Sequence, residues 1–189
     1  GCFFLEELLT DKILDDMQKA CPVKPSATGV ETVRYLYANY FLARKLASDD
    51  RKETLEMLGK ELGNQYEINL YTNCSKRYIQ GVNVKGPVDY YECMPIVFNN
   101  SNINLNITLR SIKSGIPLRA MDICGSGGFL LSNYQADFYD VFVPGEDVVL
   151  YDSLDDMIKK CRYYLGHTYD IRFKEIFDVV FNKDRGLYL

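Results

Sequence analysis

The feature that most constrains the fold is a change of hydrophobic pattern at Gly63. Before this residue, apolar side chains recur at the spacing of amphipathic helices. After it, short apolar runs alternate with helical segments, a pattern that is typical of a parallel sheet covered by helices. We therefore predict an N-terminal helical segment over residues 1–63. A Rossmann-like α/β domain follows over residues 64–189, with a doubly wound parallel sheet of about five strands.

Local signals place the individual elements. Helices are predicted over residues 3–20 and 30–47, and Ser48 or Asp49 is predicted to cap a third helix that ends at Gly63. The predicted strands span residues 67–72, 80–84, 103–107, 128–132 and 147–151. Further helices are predicted over residues 88–98, over 117–125, after a cap at Ser153 and over 169–182. Ligands of such sheets bind outside the carboxyl ends of the strands, so a site is expected in the loops there.

Composition excludes several classes of protein. With 189 residues, 47% of them hydrophobic and 25% charged, the chain resembles an average globular protein and can bury a core without disulfides. A net charge of -4 argues against a nucleic-acid binder held by phosphate contacts, and no apolar run approaches the roughly 18 residues of a membrane span. The six cysteines form no C-x-x-C pair and there is one His. The cysteines are therefore predicted to be reduced core thiols of a cytoplasmic protein.

The segment over residues 103–132 carries the clearest candidate site. It is predicted to run from a strand through a loop into a short helix, and then through a glycine turn into the next strand. Pro117 suits the first position of this helix, where its missing N–H group would have no partner anyway. The free N–H groups of a helix start, together with the helix dipole, favour a phosphate. Arg110 and Lys113 add positive charge in the same loop, although an ordinary connection with solvated basic residues is the alternative.

Arg119 and Asp122 lie three residues apart on the predicted helix and therefore share one of its faces. They are interpreted either as an ion pair or as part of a binding site. In the site, Asp122 would accept hydrogen bonds from ribose hydroxyls, and Arg119 would orient it or face the phosphates. The glycine-rich run at residues 125–128 resembles a phosphate-binding loop, but such loops follow a strand and open a helix. This run follows a helix and precedes a strand, which favours a helix cap and turn.

An acidic stretch follows between Tyr134 and Met157. It holds seven acids and no Lys or Arg, scattered over a predicted loop, a strand end and a helix start. Acids are favoured near helix N-termini by the helix dipole, which explains several of them. We therefore expect no metal site in this stretch.

A resemblance to a known family enters at the same segment. Residues 119–137 read R-A-M-D-I-C-G-S-G-G-F-L-L-S-N-Y-Q-A-D. This run is similar to the signature of the CgeB-like glycosyltransferases, the bacterial spore-maturation group of the GT-B superfamily. Residues 142–157 resemble the family's F-x-x-G-E-D-V-V-x-Y strand and the helix after it, and residues 101–106 resemble its fourth-strand motif. The similarity extends over roughly residues 30–165 and is dense over 101–157.

The resemblance implies the C-terminal, donor-binding half of a GT-B enzyme. In related retaining transferases, two glutamates eight positions apart frame the nucleotide sugar; Asp122 falls at the second, which contacts the ribose, and Ser114 at the first, which faces the sugar. The exchange of an acid for a hydroxyl leaves the sugar and the stereochemical outcome open, and no catalytic residue is assigned. The implied donor-binding residues are Arg110, Lys113, Ser114, Gly115, Ile116, Pro117, Leu118, Arg119 and Asp122.

The same resemblance implies the substrates and partners. The donor is a nucleotide diphosphate sugar, the acceptor is a glycan or a protein, and the leaving diphosphate is stabilised by basic side chains and a helix dipole, without an obligate metal or cofactor. The family begins with an acceptor-binding domain, so the chain is interpreted as a fragment of a two-domain enzyme that is inactive by itself. Residues 163–172 join two family segments that are normally separated by further helix, so either this loop is naturally shortened or residues are missing near 166–168. The alternative is a non-catalytic scaffold module on a decayed domain, which Ser114 favours. Asp122 favours the transferase.

Overall fold

In the computed structural model, the chain divides into two compact units. The first unit combines residues 1–87 with residues 107–117, and the second combines residues 88–106 with residues 118–189. The predicted domain boundary at residue 63 falls inside the first unit and stays a prediction. The residues that the structure describes are 5–27, 29–74, 78–108, 112 and 114–166.

Helices dominate the first unit. They are α1 (Leu5–Leu8), α2 (Asp11–Ala20), α3 (Val33–Leu36), a π-helical segment (Tyr37–Leu42) and α4 (Ala43–Leu62). The prediction of one helix over residues 3–20 is wrong, because the chain breaks before α2 at Thr10. This residue has an extended backbone, and its hydroxyl accepts the backbone N–H of Ile13. Thr10 thus caps the start of α2, a position that favours a short hydroxyl side chain.

The second and third predicted helices form one continuous helical run from α3 through α4. The run widens at the π-helical segment, where the backbone N–H of Ala43 bonds to the carbonyl of Ala38, five residues earlier. The predicted break at Ser48 or Asp49 is wrong, because the Asp49 carboxylate accepts Lys45 Nζ from one turn earlier, at 2.5 and 2.6 Å, instead of capping a new helix. The end of α4 at Gly63 is confirmed.

A buried cluster packs the helices of the first unit together. The hydroxyl of the fully buried Tyr37 lies 2.6 Å from both Gln18 Oε1 and the carbonyl oxygen of Cys21. A buried hydroxyl needs such partners, since an unpaired one would carry its full cost of desolvation. The π-helical segment is thereby fixed to the end of α2. The buried members of the cluster are Leu5, Leu9, Tyr37, Ala38 and Ala43.

Five strands are present among the described residues, and each lies within or beside its predicted range. In the first unit, β1 (Asn69–Tyr71) pairs in parallel with β2 (Asn83–Lys85). In the second unit, β3 (Asn104–Asn106), β4 (Leu130–Asn133) and β5 (Val149–Tyr151) form a parallel sheet in the order β3-β4-β5. The Rossmann-like α/β fold class is confirmed, with its five strands divided into a sheet of two and a sheet of three.

Among the described residues, the helices of the second unit are α5 (Met94–Asn100), α6 (Leu118–Gly125), a 3₁₀ turn (Ala136–Asp140) and α7 (Leu154–Gly166). The helix predicted over 88–98 begins late, because Asp89 holds residues 90–93 in a turn. The predicted cap at Ser153 is confirmed: its hydroxyl accepts the backbone N–H of Asp156 at 3.2 Å. The helix predicted over 169–182 lies outside the described residues.

The three-stranded sheet is buried on both faces, because the consecutive residues of a strand point to opposite sides, and it carries a polar seam. Leu130 and Leu131 of β4 are almost fully buried. Beside them, the buried Asn106 amide donates to the Ser132 hydroxyl at 2.9 Å, and the buried Asn104 amide donates to the Phe98 carbonyl at 2.8 Å. Buried amides are tolerated only where they find partners, so this seam fixes β3 against β4 and the end of α5.

The cysteines only partly follow their prediction. The five in the described part of the chain are free thiols, but Cys21, Cys74 and Cys93 are exposed, so the prediction of core thiols is wrong for them. Cys124 is half-buried and Cys161 is buried, which raises the pKa of the Cys161 thiol to about 11. Within the described ranges, none of the helices combines the length and the apolar character that a membrane crossing requires.

Candidate functional site

The residues implied as donor-binding fall into three groups. Arg110 and Lys113 lie outside the described residues. The loop over residues 114–117 belongs to the first unit, and α6 belongs to the second. The loop residues are Ser114, Gly115, Ile116 and Pro117, and the residues on α6 are Leu118, Arg119 and Asp122.

The loop leads directly into the first turn of α6. Ser114 and Gly115 are exposed, whereas Ile116 and Pro117 are half-buried. Gly115 has a φ of 91°, in the region that favours glycine. The predicted helix start is confirmed to within one residue: α6 begins at Leu118, directly after the proline. The first N–H groups of α6 have no partner within the helix, which is the property that makes a helix start attractive to an anion.

Helix α6 is anchored by one face and exposes the other. Ala120 and Ile123 are buried at 0% and 1% exposure and fix the helix to the second unit. Leu118 is 80% exposed and Met121 44% exposed, on the opposite side. Asp122 lies between these faces and is half-buried. A carboxylate at such an edge keeps contact with solvent, while the neighbouring packing fixes its backbone.

The carboxylate of Asp122 is held by Tyr90, which comes from the turn before α5. The Tyr90 hydroxyl donates to Asp122 Oδ2 at 2.6 Å. This hydrogen bond is the main reason that the pKa of Tyr90 is raised above its ordinary value, and burial adds to it. Sequence reasoning missed Tyr90, because the contact joins residues 32 positions apart and no local signal marks it.

Arg119 packs against α5 instead of pairing with Asp122. Its guanidinium carbon lies 5.6 Å from the centre of the Phe98 ring, and its Nη1 atom lies 4.0 Å from the sulfur of Met94. The ring face attracts the cation and covers one side of it. The interpretation of Arg119 and Asp122 as an ion pair is wrong, because no bridge within 4.0 Å joins them, and in the described part of the chain Arg119 has no carboxylate partner.

The glycine-rich run after α6 is a helix cap, as predicted. The backbone N–H of Gly128 bonds to the carbonyl of Ile123 at 2.9 Å, and that of Gly127 bonds to the carbonyl of Cys124 at 3.0 Å. This pair of bonds, with Gly127 at a φ of 73°, is the Schellman motif. The N–H groups that a phosphate loop would offer are therefore already used inside the protein.

The acidic stretch supplies local hydrogen bonds. Asp147 Oδ2 accepts the backbone N–H of Val143 at 2.8 Å, and Asp156 pairs with Lys160 at 2.7 Å. The Lys160 hydrogen bond is the main reason that the pKa of Asp156 is lowered. Within the residues that the structure describes, no group of three or more His, Cys, Asp or Glu side chains could hold a metal ion.

A comparison with known families agrees with this arrangement of strands and helices. The model of a family described as glycosyl transferase-like matches residues 44–174. The match begins in α4 and includes all five strands, the loop over 114–117 and α6. No curated protein and no solved structure gives a significant match. Because the match extends over well more than half of the chain, the chain belongs to the glycosyl transferase-like family.

Proposed function

We propose that the chain is the donor-binding part of a GT-B glycosyltransferase of the CgeB-like group, which transfers a sugar from a nucleotide diphosphate to a glycan or a protein. Its family supports a role in glycosyl transfer. The observation that carries the finer proposal is Asp122, a solvent-accessible carboxylate on a helix with one buried face, held by Tyr90. The free thiols support a reducing compartment, which we propose to be the cytoplasm.

The chemistry of Asp122 suits a ribose. A carboxylate offers about four acceptor sites on its two oxygens. The Tyr90 hydroxyl occupies one site on Oδ2, and no described residue donates to Oδ1. The free oxygen can therefore accept hydrogen bonds from the vicinal hydroxyls of a ribose, which are strengthened by the charge of the carboxylate.

The start of α6 suits the diphosphate. Transfer breaks the bond between the anomeric carbon and the diphosphate oxygen, and the electron pair of that bond leaves negative charge on the diphosphate. On this proposal, the positive end of the helix dipole and the side chains of Arg119, Arg110 and Lys113 stabilise that charge. Arg119 has no carboxylate partner in the described ranges and is exposed, so it can turn toward a phosphate. No cofactor is required by this scheme, in which the nucleotide sugar is a substrate.

The test is a panel of nucleotides measured by thermal unfolding of the whole chain. UDP, GDP or a nucleotide sugar at millimolar concentration should raise the melting temperature, because a ligand that binds only the folded state stabilises it. Asp122→Ala should remove most of that shift. Asp140→Ala is the matched control: this aspartate is exposed on the 3₁₀ turn, and its loss should leave the shift unchanged. If no nucleotide raises the melting temperature, the proposal is wrong.

One observation favours a second candidate, a scaffold module that has lost its site. The exposed Ser114 stands where the related retaining transferases carry an acid that faces the sugar. The same panel separates the two candidates, because a scaffold module binds no nucleotide. A shift by the nucleotide diphosphates with no additional effect of any attached sugar would indicate a retained nucleotide site with a lost sugar site.

A further inference from the structure

Tyr90 is the one described residue whose side chain donates to the carboxylate of Asp122. The hydrogen bond is short, at 2.6 Å, and links the turn before α5 to the middle of α6. An O–H···O⁻ bond of this length is charge-assisted, and such bonds are about twice as strong as neutral ones. It restrains the rotation of the carboxylate, because a turn of either side chain away from the other breaks the bond.

The backbone that carries Tyr90 is itself restrained. Asp89 Oδ1 accepts the backbone N–H groups of Tyr91 and Glu92, at 2.9 and 2.7 Å. The carbonyl of Asp89 accepts the backbone N–H of Met94, the first residue of α5, at 2.9 Å. An aspartate that bonds to the backbone just after itself fixes a turn. The backbone position of Tyr90 is therefore fixed, which limits the positions that its ring can take.

The contact is placed where a ligand can reach it. Tyr90 is 44% exposed and Asp122 is half-buried. A contact that serves only the fold would gain more from burial, where a hydrogen bond is electrostatically stronger. At this position the hydrogen bond fixes one oxygen of the carboxylate, and the other oxygen remains accessible.

We propose that Tyr90 is a positioning residue of the ribose site: it occupies one oxygen of Asp122 and so aims the other at the hydroxyls of a ribonucleotide. The proposal rests on the donor-binding function proposed above and deepens it, because it makes the site selective for ribose over a sugar without 2′ and 3′ hydroxyls. Tyr91 is 84% exposed and makes no hydrogen bond to Asp122, so it provides a matched comparison.

The protonation of Tyr90 agrees with this role. The hydrogen bond to Asp122 is the largest cause that raises the pKa of Tyr90 above 10.0, and Arg119 opposes the rise. A tyrosine of ordinary pKa is already protonated at neutral pH, and the raised pKa of Tyr90 keeps its hydroxyl protonated at still higher pH. Tyr90 is therefore a donor toward Asp122 under the conditions in which a transferase works.

Isothermal titration of the full chain tests the proposal. The ligands are the nucleoside diphosphate that gives the largest shift in the panel and its 2′,3′-dideoxy counterpart, each titrated into the wild type, Tyr90→Phe, Tyr91→Phe, Asp122→Ala and the double variant Tyr90→Phe/Asp122→Ala. Tyr90→Phe should weaken the ribonucleotide about tenfold, which equals about 1.4 kcal/mol, and leave the dideoxynucleotide unchanged. Tyr91→Phe should change neither. In the Asp122→Ala background, Tyr90→Phe should have no further effect, because the two residues act as one unit.

Three other results would overturn the role of Tyr90, and they differ in what they say about nucleotide binding. Equal weakening of both ligands by Tyr90→Phe would assign Tyr90 a merely structural role and overturn the proposal. An unchanged ribonucleotide affinity in Tyr90→Phe, together with a loss in Asp122→Ala, would overturn the role of Tyr90 and leave the donor-binding function intact. Absence of nucleotide binding by the wild type would overturn both. A thermal melt of each variant without ligand confirms that the hydroxyl can be removed without unfolding, as its exposure predicts.

Discussion

In the first unit, Gly59 and Gly63 lie one turn apart, within and just after α4, and an added Cβ at either would run into the backbone of the segment at Gln80 and Gly81. In the second unit, the glycines of the run at residues 125–128 end α6, and only two of them, Gly127 and Gly128, have close neighbours. The first group of glycines makes room for another part of the chain. In the second group, Gly127 makes the chain turn, whereas Gly128 makes room for the Phe98 carbonyl and the Asn104 side chain.

The comparison shows that a conspicuous run and a scattered set of glycines can carry opposite meanings. The run suggests a phosphate loop, yet its N–H groups close a helix. The sequence marks Gly63 as a helix end but gives no sign that Gly59 and Gly63 allow backbone to lie against backbone, where any side chain would have to be displaced. Four substitutions test which property of these glycines contributes more to the stability of the protein: the space that they leave for neighbouring backbone, or the backbone angles that they allow at a turn.

The largest effect is expected for Gly59→Ala. The new methyl group would overlap the carbonyl oxygen of Gln80 and crowd the side chain of Val82 at 3.2 Å, and backbone cannot move aside as a flexible side chain can. We expect a loss of about 3 kcal/mol or more in the free energy of unfolding, the upper range for overpacked positions. Urea denaturation followed by circular dichroism and by the fluorescence of the 15 tyrosines measures it, since the chain has no Trp.

Gly86→Ala is the control for Gly59→Ala. Gly86 has no neighbour within 4 Å of an added Cβ and no positive φ, so its replacement should change stability by less than about 0.5 kcal/mol. Equal stability of the Gly59→Ala and Gly86→Ala proteins would show that α4 and the segment at residue 80 separate easily. The scattered glycines would then have no packing role.

Gly128→Ala should have the second largest effect. Its Cβ would lie 2.7 Å from the Phe98 carbonyl oxygen and 2.8 Å from Asn104 Nδ2, which donates a hydrogen bond to that oxygen. Because the end of α5 and one side chain share the strain, we expect a loss of about 2 kcal/mol by the same denaturation measurement. A loss as large as that of Gly59→Ala would mean that the second unit also depends on close backbone packing at its glycines.

The sequence predicts the elements better than it predicts these contacts. The five strands follow from short apolar runs, and the caps at Gly63 and Ser153 follow from local rules. The break at Thr10 could not be predicted because the apolar spacing continues across it. The hydrophobic period favours one continuous helix, whereas the capping side chain of Thr10 favours a new helix start. The close approach at Gly59 depends on residues about twenty positions away, which no local pattern can reveal.

In the candidate site, too, the local features could be predicted from the sequence and the contacts between distant residues could not. Asp122 and the start of α6 could be predicted, because a helix start and a carboxylate three residues after an arginine are local features. The hydrogen bond from Tyr90 and the packing of Arg119 on Phe98 could not, since both come from the neighbouring helix and its turn. The spacing of Arg119 and Asp122 permits an ion pair, but the ring face of Phe98 offers the guanidinium another partner.

Gly127→Ala should have a smaller effect that is due chiefly to the backbone angle. Its φ of 73° strains an alanine, while the nearest atom to the new Cβ is Asn99 Nδ2 at 3.1 Å, at the end of a side chain that donates to the Ser126 carbonyl. We expect a loss of about 1 kcal/mol in the free energy of unfolding. Gly127→Asn is the matched control and should lose less, because asparagine tolerates this region better. A greater loss in the asparagine variant would show that space, not backbone angle, limits the position.

Gly125→Ala should have the smallest effect and the opposite sign. Gly125 is the last residue of α6, has no positive φ, and has no atom within 4 Å of an added Cβ. Alanine lowers the conformational entropy of the unfolded chain and favours the helix, so stability should rise by about 0.5 kcal/mol. The nucleotide-induced shift in melting temperature should stay unchanged, because Asp122 lies three residues earlier and faces Tyr90. If Gly125→Ala instead removed that shift while leaving the fold stable, the residues at the end of α6 would themselves contact the nucleotide, and the glycine run would be more than a cap.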